Sequence, residues 1–194
     1  MRQLTFIFKS ALLYAALSAL FSTIGLIPIF GQLLPKPYVI GNPLEVSSIS
    51  LEHVVGHIVF GLIVGVATLR TRYFVIAGLL PIALDADHLI QFLDIPAIPR
   101  MAHSLAFGFV SIPAMMLLLG KKDYILGAVS LAAVLTHISF DTLLGGYSKF
   151  PFLIPMQSSM IAFQGHDWIA FLLAAVAIVG TATVFTKRRA AKAA

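Results

Sequence analysis

No cysteine occurs in the 194 residues, which excludes a disulfide scaffold and any thiolate metal site. Charge is nearly as scarce. Asp, Glu, Lys and Arg make up 11% of the chain, against about 25% in ordinary soluble domains. The zincin signature H-E-x-x-H is missing because His53 is followed by Val54, so a ligand with an adjacent general base is not present in that form. Internal repeats, low-complexity tracts and a stretch of soluble-domain composition are also lacking, which leaves a single domain over residues 1–194. The net charge of +5 invites a nucleic-acid reading, but the way the charges are distributed argues for no nucleic-acid partner and for a topology signal instead.

Apolar residues are abundant, at 59% of the chain with a mean hydropathy of +0.98. Six apolar stretches are long enough, or nearly so, to cross about 30 Å of hydrocarbon at about 1.5 Å per residue. They cover about 10–30, 51–69, 73–93, 102–120, 124–145 and 168–186. Pro and Gly cluster in "PIFGQLLPKPYVIGNP" and "GGYSKFPFLIP", which read as loops. The expected fold is therefore all-α, a polytopic membrane bundle of about six transmembrane helices. The first stretch has a second reading as a signal peptide, with "MRQLTFIFK" as its basic region, but its length favours a retained helix.

Basic residues orient the chain, because they concentrate at the cytoplasmic ends of spans. With the N-terminus inside, Arg2, Lys9, Arg70, Arg72, Lys121, Lys122, Lys187, Arg188, Arg189 and Lys192 fall on that side. Lys36, Arg100 and Lys149 fall opposite. Both termini are then expected in the cytoplasm of a cell that carries the protein in its inner or plasma membrane. Of the acids, only Asp123 lies inside; Glu45, Glu52, Asp85, Asp87, Asp94, Asp141 and Asp167 lie on the outer side with all six histidines. Counted along the helices, Asp85 and His57 stand about 20 Å from the inner face and His137 about 22 Å. Several helices thus bring ionisable side chains to one depth.

Their spacings group them further. His53 and His57 are four apart, as are His137 and Asp141, and Asp85 and His88 are three apart, so each pair shares a helix face. His103 opens the fourth stretch. On a regular helix Asp87 points about 160° away from Asp85. Because Pro81 makes irregularity plausible, Asp87 is read either as a ligand or as a partner of one. An aspartate near a helix centre costs about 2.5–3.5 kcal/mol on insertion scales, so a bound cation is the natural way to offset several of them. Imidazole with carboxylate suits zinc, manganese or iron. Five histidines and three aspartates exceed one tetrahedral ion and suit two ions sharing a bridging carboxylate. The candidate ligands are His53, His57, Asp85, Asp87, His88, His103, His137 and Asp141. Candidate bases are Asp87 and Asp141, and Arg100, Lys149 and Ser104 are placed to bind a phosphate or headgroup. His166 and Asp167 read as the start and cap of the last helix, with lining of the site as the other reading.

The order "HVVGH", "DADH", "RMAHS", "HISFD" and "GGYSKFPFLIP" resembles the membrane-bound, metal-dependent hydrolases of the YdjM-like type, also described as LexA-binding inner-membrane proteins. The resemblance covers about 51–155 and leaves out the first helix. It implies metal or catalytic roles for the same eight residues. One departure is Ala102 before His103, where such proteins usually carry Thr. A supporting hydroxyl is then either absent or supplied by Ser104 or Thr136.

These readings predict a membrane-embedded hydrolase, with a transition metal as cofactor, acting on an ester or phosphoester of a lipid or lipid-linked substrate at the extracytoplasmic face. The alternative is a metal-ion or proton transporter using the same cluster. It is disfavoured by inner halves such as "GLIVGVATL", which offer no ligands.

Overall fold

A computed structural model describes residues 2–26, 34–39, 41–42, 50–119 and 122–193. Glu45, Lys121 and half of the first Pro/Gly-rich stretch lie outside the described residues. Among those described there are six α-helices: α1 (Arg2–Ser22), α2 (Leu51–Val66), α3 (Thr71–Leu84), α4 (Leu105–Leu118), α5 (Tyr124–Gly145) and α6 (Asp167–Ala193). 3-10 segments extend two of them, Thr23–Leu26 after α1 and Asp85–Leu93 after α3.

Four of these units are long and apolar enough to cross a membrane: Gln3–Leu26, Thr71–Leu93, Tyr124–Gly145 and Asp167–Ala193. The expectation of about six spans is thereby qualified. Leu51–Val66 and Leu105–Leu118 have 16 and 14 residues. At about 1.5 Å per residue they rise about 24 and 21 Å, short of a full crossing. Local chemistry explains where they stop and start. Past Val66, the Thr68 hydroxyl donates to the Gly65 carbonyl at 2.8 Å and the chain turns toward α3. At the other short helix, Ser104 caps the first turn of α4 by accepting from Phe107 N–H at 3.2 Å, which leaves residues 102–104 in the preceding turn.

A second departure from the all-α expectation is a two-stranded antiparallel hairpin, β1 (Tyr147–Phe150), inside the segment that reads as loop, and β2 (Ile161–Gln164), beyond it. Gly146, at φ 63°, ends α5 in the left-handed region and lets the chain reverse into β1. Tyr147 pairs with Gln164 and Phe150 with Ile161.

The core is built around α5, which is buried along nearly its whole length and packs against α2, α3, α4 and α6. The close pairing of α2 with α3 rests on small residues. A Cβ on Gly61 would stand 2.1 Å from the Ala77 carbonyl oxygen, and one on Gly65 would stand 2.9 Å from that of Phe74. Proline assists: Pro81 has no N–H to give the Ala77 carbonyl four residues earlier, so that oxygen is open to the α2 backbone. The outward faces are apolar, with Phe8, Leu12, Leu117 and Leu173 all more than 60% exposed. Such extended apolar surface suits a hydrocarbon environment. At the end of the bundle where α3 begins, the Tyr73 hydroxyl donates to Asp123 and accepts from Arg72, and Arg72 Nη2 lies 3.6 Å from Asp123 Oδ2.

Candidate metal centre

At the opposite end, four elements converge. Ser50 caps α2 by accepting from His53 N–H at 3.1 Å, which sets His53 and His57 on consecutive turns with ring centroids 4.4 Å apart. The 3-10 segment after α3 carries Asp85, Asp87 and His88. The turn before α4 carries Arg100 and His103, and α5 carries His137 and Asp141.

The orientation of Asp87 is settled by the change of helix type. Nine residues are a long run for 3-10 geometry, which advances about 120° per residue and eclipses positions three apart. Asp85 and His88 therefore share a side, with Asp85 Oδ1 3.4 Å from His88 Nε2. Asp87 turns only about 120° from them and reaches the turn before α4. There its Oδ2 accepts from His103 Nδ1–H at 2.9 Å and from Ala102 N–H at 3.2 Å.

Six further approaches define the site. Asp85 Oδ2 is 3.1 Å from His53 Nε2, and Asp85 Oδ1 is 3.4 Å from His137 Nε2. Asp141 Oδ1 is 3.2 Å from His57 Nε2, and Asp141 Oδ2 is 3.5 Å from His137 Nε2. Asp141 Oδ2 also lies 3.6 Å from Arg100 Nη1, and Asp87 Oδ1 lies 3.8 Å from His88 Nε2. The His57 and His137 rings stack in parallel with centroids 3.7 Å apart.

Three sets of donor atoms come within 4.8 Å of one another: Asp85, Asp87, His88 and His103; His53, His57 and Asp85; and His57, His137 and Asp141. Asp85 belongs to two sets and directs its two oxygens to different ones. All eight expected ligands fall in these sets. His166 and Asp167 do not; both are exposed, and Asp167 accepts from Gln164 N–H at 2.9 Å as the last helix begins.

A cation fits this arrangement, as the atoms left without hydrogen-bond partners show. They include His57 Nε2, Asp85 Oδ1, Asp87 Oδ1, His103 Nε2 and His137 Nε2, all buried. Each such orphan costs about 1–3 kcal/mol if nothing occupies the space it faces. The tautomers agree. His137 Nδ1–H donates to the Pro81 carbonyl at 2.7 Å and His103 Nδ1–H to Asp87, which in the neutral imidazoles leaves both Nε2 lone pairs free to ligate. Bare imidazole nitrogens beside carboxylate oxygens repel one another unless a positive charge lies between. The separations of 3.1–3.5 Å also match the edge of a tetrahedron with zinc-like bonds of about 2.0–2.1 Å, which is about 3.3 Å.

Ser104 is fully buried, and its hydroxyl donates to the Met101 carbonyl at 2.8 Å while capping α4. Thr136 donates to Ala132 at 2.7 Å, and neither hydroxyl supports a histidine. Asp87 has no exposure and holds His103 through its Nδ1–H. Arg100 does reach the site. Its side chain is 30% exposed, stands over the Phe150 ring at 5.4 Å, and springs from a left-handed residue at φ 56°.

Three contributors were not foreseen. Gln91 Nε2 lies 2.8 Å from His88 Nδ1, a position three residues on and therefore on the same 3-10 side. Phe150 of the hairpin is fully buried and stacks on the His103 ring at 5.4 Å. The Pro81 carbonyl, as a backbone group, left no trace in residue type.

The fold and site thus define an apolar helical protein with a buried His/Asp cluster at metal-ligating distances. Comparison with protein-family models, curated proteins and solved structures finds no match to this chain.

Proposed function

We propose that the chain is a membrane-embedded, metal-dependent hydrolase that cleaves a phosphoester of an amphiphilic, lipid or lipid-linked substrate at the extracytoplasmic face. The observation that carries this reading is the convergence of five buried donor atoms without hydrogen-bond partners, from four elements, beside the partly exposed Arg100. The resemblance to YdjM-like hydrolases supports the same reaction class. A nitrogen and oxygen donor set without thiolate suits zinc, manganese or iron. The two oxygens of Asp85 face different donor sets, which supports a pair of ions sharing that carboxylate.

A divalent metal would supply Lewis-acid polarisation of a phosphoryl oxygen and a nucleophile available near neutral pH. The chain's own residues do the rest. Arg100 binds a phosphoryl oxygen through the fork of its guanidinium. Asp141, 8% exposed and facing Arg100, accepts the proton of the attacking water. Phe150 covers the His103 side and excludes bulk water. A carboxylic ester is the second reading, because a bound metal would polarise a carbonyl oxygen as it would a phosphoryl oxygen.

The rim supports an amphiphilic substrate. Leu89, Phe92, Leu93, Leu143, Leu144 and Tyr147 are all exposed at this end of the bundle. The basic residues at the other end and in the last turns of α6 support cytoplasmic termini. Transport is the weaker reading: among the described residues the three donor sets share members at one end, with no further set along the helices.

The test is metal analysis of the purified protein followed by hydrolysis of phosphorylated lipids. One to two equivalents of transition metal are expected. Asp85→Ala and His137→Ala should lose both metal and turnover, and Arg100→Ala should lose turnover with metal retained. Metal-free parent protein, or mutants that hydrolyse as the parent does, would overturn the reading. Metal flux into proteoliposomes without hydrolysis would favour transport.

A further inference from the structure

The site depends on the change from α- to 3-10 geometry at Asp85, and that change has to be held in place. In a continuous α-helix the Asp85 N–H would bond to the Pro81 carbonyl and the His88 N–H to the Leu84 carbonyl. Here the Asp85 N–H goes to Ile82 and Ala83 instead. Both displaced carbonyls accept from side chains on other helices. His137 Nδ1 donates to Pro81 at 2.7 Å, and Ser18 Oγ of α1 donates to Leu84 at 2.5 Å. Ser18 has no exposure and lies 66 residues away from its acceptor in sequence. α1 itself packs along both α3 and the 3-10 segment.

From this geometry we propose that Ser18 is a positioning residue of the metal centre: by holding the Leu84 carbonyl, it fixes the junction that aims Asp85 and Asp87 in their two directions. The inference rests on the metal reading given above. A continued α-helix would send Asp87 about 160° from Asp85 and away from His103. The 3-10 segment brings both carboxylates into the cluster. α1 lies outside the part of the chain that carries the ligands, so its contribution is to geometry alone. Ser22 supplies an internal control. It lies one turn further along α1, is equally buried, and its hydroxyl has no hydrogen-bond partner among the described residues.

The experiment measures zinc affinity and the zinc-free thermal transition of the detergent-purified full chain, as parent, Ser18→Ala, Ser18→Thr and Ser22→Ala. Losing an outer partner of a metal ligand typically costs about 10–100-fold in affinity, so Ser18→Ala should fall in that range. Ser18→Thr should restore binding, and Ser22→Ala should bind as the parent does. A merely structural role would lower the zinc-free transition and leave affinity unchanged. If Ser18→Ala fails to fold, Ser18→Cys keeps the size with a weaker donor and should bind more weakly than the parent. Parent-like zinc affinity in Ser18→Ala or Ser18→Cys, or an equal loss in Ser22→Ala, overturns the inference and leaves the metal reading standing. A parent that binds none of zinc, manganese or iron overturns both.

Discussion

Asp87 and His103 form a pair with no solvent exposure, His103 Nδ1–H donating to Asp87 Oδ2 at 2.9 Å. The bond fixes the imidazole with its Nε2 lone pair turned toward the cluster, and Ala102 N–H holds the same oxygen at 3.2 Å. Carboxylate, imidazole and vacant nitrogen in series are how proteins commonly orient a metal-binding histidine.

Asp87→Asn tests that pair. The amide keeps the volume but loses the charge that holds the His103 N–H. Zinc affinity, measured by calorimetry on the purified protein, should drop about 10–100-fold. Binding as tight as the parent's would show that Asp87 does not orient His103.

Gly61→Ala tests the route by which α2 delivers its histidines. The added methyl would meet the Ala77 carbonyl at 2.1 Å, a backbone atom that cannot rotate away. The helices must separate, at about 1–3 kcal/mol for overpacking, and His53 and His57 move with α2. A lower thermal midpoint together with weaker zinc binding is expected. Full metal affinity in Gly61→Ala would mean that the α2–α3 distance does not set the site.

Ser104→Ala separates a cap from a substrate contact. Loss of an N-cap hydroxyl costs about 1 kcal/mol of stability. Because the serine is buried and satisfied locally, metal content and the KM for a phosphorylated lipid should stay at the parent values. A raised KM without loss of stability would restore Ser104 to the substrate site.

The eight ligand candidates were legible in the sequence because membrane insertion makes ionisable residues costly, so their presence at one depth signals function. The boundaries of α5 were legible for a related reason: an uninterrupted apolar run between Asp123 and a glycine pair has one natural reading. What was not legible follows from tertiary structure. The direction of Asp87 depends on a shift to 3-10 geometry that is stabilised by Ser18 and His137 from distant helices. The shortening of α4 depends on Ser104 acting as a cap, a role its residue type permits but does not declare. The hairpin escaped notice because Gly and Pro flank two four-residue strands, and short strands among turn residues look like loop.

Metal removal is the broadest test of the site. Free metal at about 100 times Kd stabilises a folded protein by about 2.7 kcal/mol if the unfolded chain does not bind it. For a chain of this size that corresponds to roughly 5–10 °C in thermal midpoint. Chelation should therefore lower the midpoint by about that amount, and zinc should restore it. The effect should also depend on pH with a defined sign. Imidazole ligands bind metal only when neutral, and their ordinary pKa is about 6.5, so protons compete as the pH falls. Zinc-induced stabilisation should be complete near pH 8 and shrink below about pH 6.5, more steeply than a single histidine would allow because several ligate together. A chelator-insensitive midpoint at pH 8 would mean that the orphaned nitrogens and oxygens of this cluster are not metal ligands.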